Sequence, residues 1–115
     1  MNEINLRKQL EEDRGELKRM ILRLGRMAEE AISRAVWALK NQDAAVARNV
    51  IEKDDELDEL AEGVDSACMH FTARYQPLGE DLRAVTSIMH MAIDLERIGD
   101  YGGNIAKVAL DLADK

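Results

Sequence analysis

The sequence predicts an all-α protein: an elongated, antiparallel up-down-up bundle of three helices. Apolar residues recur in steps of three, four and seven, and no stretch alternates as a strand would. Punctuation is sparse, with one Pro and seven Gly in 115 residues, so the elements are few and long. The breaks between periodic runs are short, which makes sequential helices antiparallel neighbours.

The first helix is expected over 3–40. Its stripe reads Leu10, Leu17, Ile21, Leu24, Ala28, Ala31, Ala35 and Leu39. Asn41-Gln42-Asp43 then breaks the pattern, with Asn41 read as the C-terminal cap and Asp43 as the next N-cap. The second helix is expected over 43–75, on Ala47, Val50, Ile51, Leu57, Ala61, Val64, Cys68, Phe71 and Tyr75. Pro77 has no amide hydrogen and disfavours helical geometry at Gln76, which stops this helix at Tyr75. Gly79 continues the turn and the third helix is expected over 81–113. It carries Leu82, Val85, Met89, Ala92, Leu95, Gly99, Ala106, Leu110 and Ala113. Gly63, Gly99, Gly102 and Gly103 lie inside helices, where each costs ~1 kcal/mol relative to Ala. They mark close approach of a neighbouring helix, or room left between helices.

Composition narrows the function. Sixteen Lys+Arg against 23 Asp+Glu give a net charge of −7, which disfavours nucleic acid because phosphate contacts need basic surface. Four aromatic residues make no base-stacking platform. No run of apolar residues is long enough to span a bilayer, so no membrane insertion is expected. The N-terminus lacks the apolar segment of a signal peptide, and the single Cys68 suits a reducing, cytoplasmic setting. Metalloprotease, phosphate-loop and nucleophile-elbow motifs are missing. Neither His70 nor His90 has a Glu three residues before it, as a ferritin-like di-iron site needs. The chain is not read as an enzyme.

Charge is uneven. Residues 1–40 hold nine basic and seven acidic residues, whereas the remainder is strongly acidic. A basic set on helix 1 (Arg14, Lys18, Arg19, Arg23, Arg26) reads as a solvated face before it reads as a partner surface. Acids are densest from Glu52 to Asp65, also first read as solvated. Yet Asp54 falls where the second stripe calls for an apolar residue, and Glu96 does the same in the third. Asp58 and Asp100 lie one turn further on. Each helix thus presents two carboxylates four residues apart on one face. In a hairpin folded at Pro77, Asp54 comes level with Asp100 and Asp58 with Glu96. Such a group needs protonation, arginine partners (Arg97, Arg74, Arg83 or Arg26) or a bound cation. Spacing alone leaves these open.

At these residues the chain resembles a known family. The segments VIEKDDELDELAEGVDSAC, RYQPLGEDLRAV and IDLERIGDYGGNIAK are similar to the PhoU family of phosphate-uptake regulators. The resemblance extends to NQDAAVA and LGRMAEEAISRAVWAL. It implies a three-helix bundle, usually present twice per chain, and a metal motif of an acid, three residues, then Asp. That motif matches Asp54–Asp58 and Glu96–Asp100, with Asp55, Glu59, Glu62 and Asp94 as lesser contributors. It implies iron or zinc, in a multinuclear cluster. It implies negative regulation linking the ATPase of the phosphate ABC transporter to a sensor histidine kinase. Two other readings stand beside it: a dimerisation or regulatory module of a cation transporter, and a metal-free helical interaction module. A chain with one repeat would restore the two-bundle arrangement as a homodimer.

Overall fold

A computed structural model describes residues 2–115, folded as three helices: α1 (Glu3–Asn41), α2 (Ala44–Tyr75) and α3 (Gly79–Ala113). They form a rod of 65 × 17 × 17 Å. Among the described residues there is no strand. With two tight connections, α2 runs antiparallel to α1 and α3, and α1 and α3 are parallel.

The helix ends follow local chemistry. The Asn2 side chain accepts from the Asn5 amide at 2.9 Å, capping α1. At the other end, the C-cap role expected of Asn41 belongs to Gln42. Gln42 takes the left-handed conformation, with φ 51°, while Asn41 stays helical and donates from its side chain to the Trp37 carbonyl. Asp43 caps α2 by accepting from the Val46 amide. Gln76, held between Tyr75 and Pro77, is also left-handed at φ 45°. Gly79 has φ +57°, a conformation that suits glycine, and α3 starts there, two residues before the expected start.

Two packing zones lie along the rod. The larger, toward the Pro77 end, is built of bulky residues including Leu17, Leu24, Leu57, Val64, Phe71 and Val85. Full burial of one such side chain contributes about 2 kcal/mol. The smaller zone, at the opposite end, is mostly alanine: Ala35, Ala38, Ala47, Ala106 and Ala109 with Val50. Small side chains let the helices approach. At Gly102 an added Cβ would lie 3.0 Å from the Ala31 carbonyl carbon, so this glycine marks close approach of α3 to α1. The third stripe is rotated from expectation: Leu82 is exposed, whereas Ile88 and Ala109 are buried. The two zones leave a gap. On α2 it falls between Val50 and Leu57, and on α3 between Ala92 and Ala106. The acids Asp54, Glu96 and Asp100 belong to that gap.

Candidate metal centre

α2 and α3 carry the acids to one level at the middle of the rod. Asp54, Asp58 and Asp100 each offer an oxygen, and the three atoms lie within 4.8 Å of one another. Asp54, Asp58 and Glu96 are half-buried; Asp100 is exposed. Glu96 lies beside the group, where its charge and that of Asp58 act on each other. The Asp54 Oδ1 is buried and has no hydrogen-bond partner among the described residues. Opposite it stands Gly103, where even an added Cβ would remain 3.8 Å from the Asp54 Cγ. Glycine here leaves the carboxylate uncovered. Gly99 has a different role: an added Cβ would come within 2.6 Å of the Leu57 side chain.

The electrostatics of the group are unfavourable to full ionisation. Burial pushes the Asp54 carboxyl above its ordinary value, and Asp58, Asp100 and Asp55 add repulsion, against a partial relief from Lys107. Asp58 is raised by burial and by Asp100, Asp55 and Glu62. Glu96 is raised by burial and then by Asp58, Asp100, Glu62 and Asp54. Among the described residues, no ion pair neutralises these four acids. The arginines considered from the sequence do not serve: Arg74 approaches Asp13, and Arg26, Arg83 and Arg97 form none of the ion pairs.

Of the secondary candidates, Asp55 and Glu62 are exposed but act on the group through their charge. Glu59 and Asp94 are exposed and lie outside the three-oxygen group. Sequence reading missed Lys107 and Asn104, which with Asp54, Asp55, Asp100 and Gly103 line an open groove of about 620 Å³. The signal was available, because Lys107 lies seven residues beyond Asp100, on the same helix face. Neither histidine joins the group: both are exposed, and the His70 Nδ1 is engaged with the Ser66 carbonyl. A buried oxygen without a partner, a carboxylate-rich donor set and an open approach fit a hard or borderline cation.

Residues 21–109 match the family model described as the PhoU domain. The chain belongs to the PhoU domain family. It is 37% identical over 100 residues to a phosphate-specific transport system accessory protein PhoU homolog of Aquifex aeolicus (strain VF5), a match covering 87% of this chain and 45% of the relative. It is 34% identical over 115 residues to the phosphate-specific transport system accessory protein PhoU of Escherichia coli (strain K12), covering 96% of this chain and 48% of the relative. The crystal structure of PhoU from Pseudomonas aeruginosa superposes with a TM-score of 0.87 at 34% identity, over 90% of this chain and 50% of that one. The chain thus spans about half the length of the PhoU relatives it matches. The all-helical fold expected from the sequence is the one observed, and it is shared with PhoU. Among the described residues, no helix is long and apolar enough to cross a membrane.

Proposed function

We propose that this chain is a cytoplasmic regulatory adaptor of phosphate uptake and phosphate-starvation signalling, acting without catalysis. In this reading it is a negative regulator that contacts the ATPase of the phosphate ABC transporter and a sensor histidine kinase. Asp54, Asp58, Glu96 and Asp100 hold transition-metal ions, iron or zinc. Membership of the PhoU family, whose relatives are named as phosphate-specific transport system accessory proteins, supports the regulatory part. The metal part is carried by one observation: carboxylate oxygens of two helices converge within 4.8 Å with no cationic side chain among the described residues paired to them.

A bound cation would supply the missing positive charge. The residues would then do two things. Asp54 and Asp58 from α2, with Glu96 and Asp100 from α3, would pin the two helices together where neither packing zone does. A cation competes with protons for these carboxyls, whose pKa values are raised, so binding strengthens as pH rises.

Elemental analysis of protein purified without chelator tests the site. Wild type should carry bound iron or zinc, and the combined Asp54→Ala and Glu96→Ala variant should lose it with helical circular dichroism retained. Metal-free wild type, or an unchanged metal content in the double variant, would overturn it. If metal binds, chelation should also lower thermal stability, by about 3 kcal/mol when free metal had stood near ~100 Kd.

A further inference from the structure

A single cation shares the mid-rod groove with the carboxylates. Among the described residues, the groove bordered by Asp54, Asp55 and Asp100 has one basic side chain, Lys107 of α3. Lys53, next to Asp54 in the chain, is turned toward α1 and lies 4.0 Å from Glu30. Lys107 is exposed and forms no ion pair among the described residues, although Glu52 lines the same groove and Asp111 follows one turn later on α3. Gly103 fixes its place relative to the acids. An added Cβ on Gly103 would lie 3.8 Å from the Asp54 Cγ, so this turn of α3 stands against that carboxylate. Lys107 begins four residues on, roughly 5.4 Å further along the same helix face. A lysine's flexible four-carbon stem spans that distance, and glycine puts no side chain in its way. The Lys107 charge acts on Asp54 in the opposite sense from each of the neighbouring carboxylates.

We infer that Lys107 is the tethered counter-ion of the carboxylate group: it steadies the metal-free rod and opposes a cation entering the groove, and so sets how tightly the site holds metal. The second half rests on the metal reading above; the first half does not. An ammonium at the groove offsets part of the repulsion among Asp54, Asp58 and Asp100 without forming a fixed contact. That is unlike Arg7 and Arg14, which are locked onto Asp81 at 2.6 and 2.7 Å. Because Lys107 is solvated and unpaired among the described residues, it is free to swing away when a cation arrives. Its repulsion of that cation grows in proportion to the cation's charge. Removing the ammonium should therefore weaken the empty site and strengthen the occupied one. A residue that only packs or caps would shift both states in the same direction.

Two measurements on Lys107→Met test this, with Lys107→Arg as the conservative control. In chelator-treated protein at neutral pH, Lys107→Met should lower the melting temperature by about 2 °C. The loss should shrink in an Asp54→Asn background, where the charge it offsets is gone. Lys107→Arg should melt as wild type does. With zinc ion as the probe, competition against a fluorescent chelator should show Lys107→Met binding about tenfold tighter than wild type at low salt. The difference should close in 1 M salt, where the screening length falls to about 3 Å. Lys107→Arg should restore wild-type affinity. Equal melting losses in the two backgrounds would overturn the inference, and so would zinc affinity that is unchanged or weakened in Lys107→Met. If wild type takes up no zinc, the metal reading fails, and the paired melts in metal-free protein still decide whether Lys107 is the counter-ion.

Discussion

Two sets of carboxylates lie between helices of this rod, and they have opposite electrostatics. At the Pro77 end, Asp81 is buried on α3 and accepts from Arg7 at 2.6 Å and Arg14 at 2.7 Å, both on α1. The Arg7 hydrogen bond and the two positive charges hold its carboxyl below the ordinary range, against the effect of burial. Nearby Asp13 is served by the Tyr75 hydroxyl at 2.5 Å and by Arg74. At mid-rod, Asp54, Asp58 and Glu96 are held above their ordinary values, and none has an ion-pair partner among the described residues. A buried acid that closes a bundle end comes with its own cations. An acid group that lacks them is poised to take a cation from solution.

The largest effect expected is at the compensated end. Asp81→Ala removes both arginine contacts and should cost about 2 kcal/mol, read as a lower urea midpoint at unchanged slope. In metal-free protein at neutral pH, Asp54→Asn should do the reverse and raise stability by about 1 kcal/mol, because it removes a charge from a repelling group. Destabilisation by Asp54→Asn under the same conditions would erase the contrast.

Their pH dependences should also oppose. For Asp54, Asp58 and Glu96 the folded pKa is raised, so the stability they add is present in full below their ordinary values of 3.8 and 4.5 and is lost as pH rises through the raised folded values. For Asp81 the folded pKa is lowered, so its contribution is present above 3.8 and is lost as pH falls through the lowered value. Metal-free protein should therefore be most stable at mildly acidic pH. Denaturation series should show Asp54→Asn flattening the neutral side and Asp81→Asn flattening the acid side.

The smallest effects concern adjacent glycines and differ in sign. Gly103→Ala places its methyl at ordinary contact, 3.8 Å from the Asp54 Cγ, and should stabilise metal-free protein by ~0.5 kcal/mol through helix propensity while partly covering the carboxylate. Gly102→Ala meets α1 backbone at 3.0 Å and should destabilise by about 1 kcal/mol. Thermal melts of the two variants check both signs.

Much of this architecture is local and so was readable from the residues. Hydrophobic period and capping chemistry set three helices, with Asp43 as a cap and Pro77 as a stop. Acids four apart share a helix face, and the short α2–α3 connection levels them, because a tight hairpin leaves little freedom of register. The relation of α1 to α3 is another matter. These helices are parallel and no single loop joins them, so their register and rotation come from packing in three dimensions. Asp81 is an example. Asp81, Val85, Ile88 and Ala92 are spaced as a core stripe, yet an acid near a helix start reads equally well as a cap. Only its arginines, 74 and 67 residues away, decide the matter. The approach of Gly102 to Ala31 was likewise settled by tertiary contact. Periodicity gives each helix an apolar face, but which neighbour covers which part of that face depends on side chains distant in the chain.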